Sequence, residues 1–382
     1  MTALETEVRV EGRCEPKFEP VRAAFAGNFV SGADVGACVA VTIDGQLVVD
    51  LWGGYLDEAR TTPWREDSII TVFSTTKTMC ALCALLLADR GDLDLDAPVA
   101  RYWPAFAANG KDGVLVRHLL GHTAGLPGLD TPITVNDLYD WEKIIGLLER
   151  QAPWWPPGTA SAYHAFTQGY LVGEVVRRIT GQSLGVFFAA ELAGPLSADF
   201  HIGLDPSHDH RVGEIIPSTE PPPQADPASI FARVANNPPV QGNISLDPRW
   251  RRAEIPAGNG YGNARSVARI QSLLACGGET GGRRLMSRQG CEAVLRQQCD
   301  GIDLSWDFPM RWGLGLALQL DKLTFGPRTV FWGGNGGSLI VVDFERRMTI
   351  AYVMNHLVGA PFGDPRNMAI VTATYGALAG EP

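Results

Sequence analysis

Ser74-Thr75-Thr76-Lys77 places a hydroxyl and an amine three residues apart, just before the apolar run Met79 to Ala88. On an α-helix such residues occupy neighbouring parts of one face, so serine Oγ and lysine Nζ can meet. A serine hydroxyl beside a neutral amine is an activated nucleophile, which is what acyl transfer needs. The start of the helix is also the positive end of its dipole, which favours a developing oxyanion. Burial and that dipole both favour the uncharged amine. S-x-x-K arises often by chance, and the apolar surroundings of Lys77 are what set this copy apart. None of Lys17, Lys111, Lys143 and Lys322 has a serine three residues before it.

Other residues could compete for the chemistry. Gly181-Gln182-Ser183-Leu184-Gly185 matches G-x-S-x-G, but a nucleophile elbow requires a strand before the serine. The preceding segment, Tyr170 to Thr180, has helical periodicity, so Gly181 reads as a helix C-cap and Ser183 as the next N-cap. His208 and His210 form H-x-H without a carboxylate or cysteine pattern to complete a metal site. His118 and His122, four apart, suit hydrogen bonding behind the site better than ligation. Cys80 and Cys83 have redox spacing but lie in an apolar helix, where packed thiols are the expected state.

The elements that must position these groups follow from the pattern. Cys38 to Ile43 and Gln46 to Trp52 flank Asp44-Gly45 and read as a hairpin. Arg328 to Trp332, Ser338 to Asp343 and Met348 to Asn355 read as strands, with a turn at Phe344 to Arg347. Helices are expected near Phe18 to Asn28, Thr75 to Arg90 (stopped by Gly91), Val116 to Leu120, Val135 to Gln151, Thr167 to Thr180, Ser183 to Leu192 and Arg366 to Leu378. One antiparallel sheet would then draw strands from both chain ends, with the middle as an insertion. Eight prolines between positions 217 and 248 mark a long loop that is a linker or a cover.

Composition bounds the rest. Hydrophobic residues make up 45% and charged residues 19% of the 382, as expected of a folded enzyme-sized chain rather than a disordered one. The net charge of −10, with no basic run, gives no expectation of nucleic acid or an anionic membrane as a partner. The first twenty residues lack an apolar signal-peptide core, and the seven cysteines are scattered and odd in number. A cytoplasmic setting with reduced thiols is therefore expected. No cofactor or metal is expected. Oligomeric state is not legible.

With Ser74 and Lys77 as anchors, further segments fall into an order. Val116 to Leu126 (VRHLLGHTAGL) resembles the R-H-L-L-x-H-T-S-G-L stretch of the serine β-lactamase-like superfamily. Pro157-Gly158, Tyr163 and Gly169-Tyr170 resemble its tyrosine motif. Pro195-Leu196 and Gly260 to Ser266 also fit, and Trp332-Gly333-Gly334 stands where class C β-lactamases carry K-T-G. Across some 340 residues the chain is similar to the family VIII carboxylesterases, which share the class C fold. That resemblance implies an α+β class C β-lactamase-like fold, an antiparallel sheet flanked by helices with an inserted mostly helical domain. Residues 1–97 and 236–382 would form the sheet domain and 98–235 the helical one, with the active site between them.

The resemblance also implies roles. Ser74 would become acylated, and Lys77 and Tyr163 would share the proton traffic, the lysine favouring the Tyr163 phenolate. Which of the two takes the serine proton stays open. Backbone N–H groups of Ser74 and Asn335 would form the oxyanion hole. Trp332, Gly333, Gly334, Phe166 and Trp155 would contact substrate, with Trp141 and Trp154 as further candidates for an apolar pocket. Two departures stand out: Tyr163-His164-Ala165 lacks the asparagine of Y-x-N, and Trp332 replaces a lysine. An indole offers apolar surface and one donor, which favours neutral acyl esters over anionic lactams. The expected activity is therefore hydrolysis of short-chain esters, with weak lactam hydrolysis on the side. A β-lactamase, a D-amino-acid peptidase or an acyltransferase are the alternatives on the same machinery, and a non-catalytic scaffold is the remaining one.

Overall fold

The computed structural model describes residues 8–219, 226–240, 242–320, 325–358 and 363–379. The Asp44-Gly45 turn takes positive φ at both residues, which matches the right-handed twist of paired strands. It joins β2 (Gly36–Ile43) to β3 (Gln46–Gly54), and β1 (Val10–Cys14) adds an outer strand to β3. The small sheet beside the helices is β4 (Ile70–Thr71), β5 (Phe200–Ile202) and β6 (Gly260–Gly262), in the order β4-β6-β5. β7 (Glu279–Thr280) and β8 (Arg283–Arg284) form a short hairpin. The later strands are β9 (Cys299–Asp303), β10 (Phe308–Trp312), β11 (Ala317–Leu318), β12 (Thr329–Gly333), β13 (Leu339–Asp343) and β14 (Met348–Met354).

Among the described residues the main sheet is antiparallel, in the order β1-β3-β2-β14-β13-β12-β11-β10-β9. The two ends of the chain do meet in it: β2 pairs with β14, with Val39 opposite Tyr352. α1 (Glu19–Val30) and α11 (Pro365–Ala379) pack together on one face, and α9 (Ala264–Ala275) covers the other. The alternation of β14 shows why: Thr349 Oγ1 donates to Ala268 O of α9, whereas Tyr352 Oη, on the opposite face, donates to Asp34. The fold is α+β.

α2 (Thr76–Arg90) follows a tight 3₁₀ turn at Phe73–Thr75 and ends at Gly91, whose φ of 83° is the left-handed C-cap. Its residues Thr76 to Leu87 are buried all round, because other helices, those of a helical layer among them, pack against it. That layer holds α3 (Val116–Leu120), α4 (Trp141–Arg150), α5 (Thr167–Thr180) and α6 (Leu184–Phe188). The helix expected over Val135 to Gln151 is divided: a 3₁₀ segment Val135–Tyr139 precedes α4, and Asp140 caps α4 by accepting from Lys143 N. Likewise α6 passes into one π-helical turn, Ala189–Ala193.

Of the proline-rich stretch, Pro221, Pro222 and Pro223 lie outside the described residues. The described part carries α7 (Ile230–Ala235) and docks on the helical layer. Arg233 stacks 3.6 Å over Trp154 and pairs with Asp130, while Asn237 bonds Leu129 O, Thr131 O and Ile133 N. α8 (Pro248–Arg252) and α10 (Arg288–Glu292) complete the helices. No described helix is long and apolar enough to cross a membrane.

Candidate active site

The segment before α2 leaves β4 by a sharp bend. Phe73 sits at φ 46°, a left-handed conformation that costs a bulky residue energy and survives only where surroundings enforce it. Those surroundings are visible. Val72 N donates to Gly260 O of β6, and Thr76 Oγ1 donates to Phe73 O at 2.5 Å. From β13's leading turn, Ser338 Oγ donates to Val72 O and lies 3.0 Å from Thr75 Oγ1. Ser74 is thus held from three sides.

Lys77 is 1% exposed. Its Nζ lies 3.2 Å from Ser74 Oγ and donates to Ala165 O (2.6 Å) and Ala257 O (2.8 Å). Among the described residues no carboxylate pairs with it, and burial lowers its pKa well below that of a free lysine. A neutral amine has two N–H groups and one lone pair. The two carbonyls take the N–H groups, so the lone pair is left for the Ser74 hydroxyl.

Tyr163 comes from the loop between α4 and α5, and Lys77 Nζ lies 4.7 Å from its ring centroid. Its hydroxyl is buried with no hydrogen-bond partner at normal geometry among the described residues, and so is Nε1 of Trp332. Burial pushes the Tyr163 phenol up, while Ser74 and the Trp332 indole pull it down by less. The resting site therefore favours a neutral amine with a neutral phenol. The Tyr163 phenolate implied by the family resemblance runs against that burial.

β12 brings Trp332, 4% exposed and 5.2 Å from the Tyr163 ring, to the same place. At its end Gly334 approaches so closely that a Cβ there would stand 2.1 Å from Val72 O and 3.2 Å from Ser74 N. Only glycine fits. The turn is gripped from behind: Arg366 donates to Gly336 O, and Asn367 Nδ2 to Gly337 O. Arg366 is itself buried between Asp34 and Asp364. Asn335 is exposed at the tip.

The other predicted residues separate. Phe166 precedes α5, next to the carbonyl that binds Lys77, and lines a narrow apolar crevice with Val234 and Pro238. Trp155 donates to Ala160 O within its own loop and makes no ring contact or hydrogen bond with Ser74, Tyr163 or Trp332. Trp141 is tied to Glu174, inside the helical layer. Ser183 Oγ donates to Glu254 and caps α6. His118 Nδ1 accepts from Leu115 N, and His122 Nδ1 from His164 N, so both serve as backbone acceptors. Among the described residues no His, Cys, Asp and Glu group could hold a metal, and all seven cysteines are free.

Three residues escaped sequence reading. Trp306, on the β9–β10 turn, stacks on Tyr163 at 4.5 Å, and Trp312 lies 4.8 Å from Trp332. Asp303, fully buried, accepts from Tyr163 N and Trp312 Nε1. The one signal was the density of Trp306, Phe308 and Trp312 after an Asp-Leu-Ser turn.

The sequence profile of the Beta-lactamase family matches residues 22–375. The chain is 37% identical over 364 residues to Esterase/beta-lactamase LipL of Mycobacterium tuberculosis, covering 92% of this chain and 84% of that protein. It superposes on the crystal structure of a family VIII carboxylesterase with a TM-score of 0.92 and 41% identity, over 97% of this chain and 100% of the other. A penicillin-binding protein homologue from Caulobacter crescentus gives a TM-score of 0.91 and 36% identity, over 97% and 100%.

Proposed function

The chain belongs to the beta-lactamase family, and we propose that within it this protein is a serine hydrolase that cleaves short-chain carboxylic esters through an acyl-enzyme on Ser74. One observation carries the reading: a buried, unpaired Lys77 amine 3.2 Å from Ser74 Oγ. The similarity to a family VIII carboxylesterase and to LipL supports the ester class.

In the proposed cycle Ser74 Oγ attacks the ester carbonyl as its proton passes to Lys77. The backbone N–H groups of Ser74 and Asn335 receive the oxyanion, a role supported by the close approach of Gly334 to Ser74 N. Tyr163 gives its proton to the departing alkoxide and regains one from Lys77. The C–O bond to the alcohol breaks, leaving Ser74 acylated. Water then attacks with the same groups in reverse order, releasing the acid. Trp332, which cannot neutralise a lactam carboxylate as a lysine would, favours neutral esters. The cleft is taken to lie between residues 1–97 with 236–382 and the helical 98–235. A cytoplasmic setting suits the seven free thiols.

Intact-mass analysis after mixing with p-nitrophenyl acetate, p-nitrophenyl butyrate or nitrocefin tests the reading. An acyl adduct mapped to Ser74, more abundant with the esters, is expected. An adduct on any other residue refutes it, and faster turnover of nitrocefin favours the lactamase alternative.

Trp332 has a second expected effect. Its Nε1–H is directed at Tyr163, and a hydrogen bond to a charged group is worth about 1.5–3 kcal/mol. Trp332→Phe keeps an aromatic ring but removes the donor to the transient phenolate. We expect kcat to fall about 10- to 100-fold with KM changing less. An unchanged kcat in steady-state assays rules this donor role out.

A further inference from the structure

We infer that Trp306 is a specificity-determining residue for the alcohol half of the ester, selecting alcohols that carry a planar aromatic ring. The inference rests on the esterase reading above and adds a substrate class to it.

The β9–β10 hairpin comes from the far edge of the main sheet, yet its turn, Leu304 to Asp307, is fixed to the catalytic loop. Asp303 holds both sides: its carboxylate accepts from Tyr163 N (3.1 Å), Ser305 N (3.0 Å) and Trp312 Nε1 (3.1 Å). Leu304 N donates to Ser161 O at 2.8 Å, adding a backbone bond between turn and loop. Turn and tyrosine are therefore one rigid unit. On it the Trp306 indole stacks on the Tyr163 ring, 4.5 Å between centroids and 27° between planes, and lies 5.7 Å from Trp332. Trp306 is only half-buried, and the apolar side chains of Ile302 and Leu304 stand exposed beside it.

Chemistry says which half of the substrate this surface meets. Tyr163 protonates the departing alkoxide, so its oxygen must lie within hydrogen-bond reach of the ester's alcohol oxygen. The ring stacked on Tyr163 then borders whatever that oxygen carries. A half-open indole beside Trp332 is a flat apolar wall, and a flat π-system gains from it beyond simple area burial. A saturated ring of equal size lacks that gain.

The test compares benzyl acetate with cyclohexylmethyl acetate, primary-alcohol esters of similar bulk. The wild type is expected to prefer the benzyl ester by about fivefold to tenfold in kcat/KM. Trp306→Ala should abolish the preference, chiefly through a higher KM for the benzyl ester, and Trp306→Phe should keep at least half of it. Absence of a preference in the wild type overturns the assignment, as does an equal loss on both esters in Trp306→Ala. Labelling of Ser74 by a fluorophosphonate separates the two layers. An unlabelled wild type overturns the esterase reading itself, whereas a labelled enzyme without discrimination overturns the Trp306 role alone. Full labelling of both variants shows that they are folded.

Discussion

Ser74→Ala should lower kcat/KM for p-nitrophenyl butyrate by about four to six orders of magnitude, because no covalent intermediate can form without the hydroxyl. The fold should barely notice. Ser74 is held by backbone and by its neighbours Thr75 and Thr76, whose bonds to Ser338, Phe73 and Gly260 stay intact. Ser183→Ala is the matched control. Its hydroxyl bonds Glu254 and caps α6, so the change should cost about 1 kcal/mol of stability and leave kcat/KM within about twofold. Parallel esterase assays and thermal melts decide it. A Ser74→Ala enzyme with more than about a hundredth of wild-type activity would end the proposal.

Lys77→Met carries the second large effect. Methionine fills similar space without a base, so kcat should fall about a thousandfold or more. The wild-type rate should rise with pH through the lowered pKa of Lys77 and then level, since only the neutral amine accepts the serine proton. Stability reports the same group independently. Unfolded Lys77 holds a proton up to about pH 10.4, while the buried amine gives it up far lower. Between those values the unfolded chain binds more protons, so wild-type stability must rise with pH, by at most about 1.4 kcal/mol per unit. Below the folded pKa both states are protonated and the slope disappears. Urea unfolding of wild type and Lys77→Met at pH 7 and pH 9.5 isolates the contribution. Equal pH slopes for the two proteins would mean that Lys77 is charged inside the fold, and the mechanism would need another base.

Much of this was legible because it is local. S-x-x-K before an apolar run, Asp-Gly between two valine-rich runs, and the C-terminal strand pattern each need only a few neighbouring residues to be read. The same holds for Gly91 and Gly181, whose left-handed φ values are what helix ends require. The β9–β10 hairpin was not legible, since Gly301 and Pro309 interrupt its alternation and its value lies in pairing with a distant edge. Asp303 carries no local hint that it will bind Tyr163 N, 140 positions away. Trp155 was drawn towards the site by being aromatic and close in sequence to Tyr163. Its own loop takes the indole N–H, and it makes no ring contact or hydrogen bond with Ser74, Tyr163 or Trp332. The phenolate expectation runs against burial, which sequence cannot report for a single oxygen.

Arg366 binds Gly336 O from α11, behind the turn whose glycine presses on Ser74 N. Removing one partner from such a buried ionic cluster is costly, so the grip is firm once made. It also sets a birth order. A ribosome delivers Ser74 some 290 residues before Arg366, the arginine that braces the turn beside it. At ordinary synthesis rates that is a delay of roughly 15–60 s. Throughout that interval the nascent chain carries Ser74 without the brace that Arg366 gives the Gly336 turn.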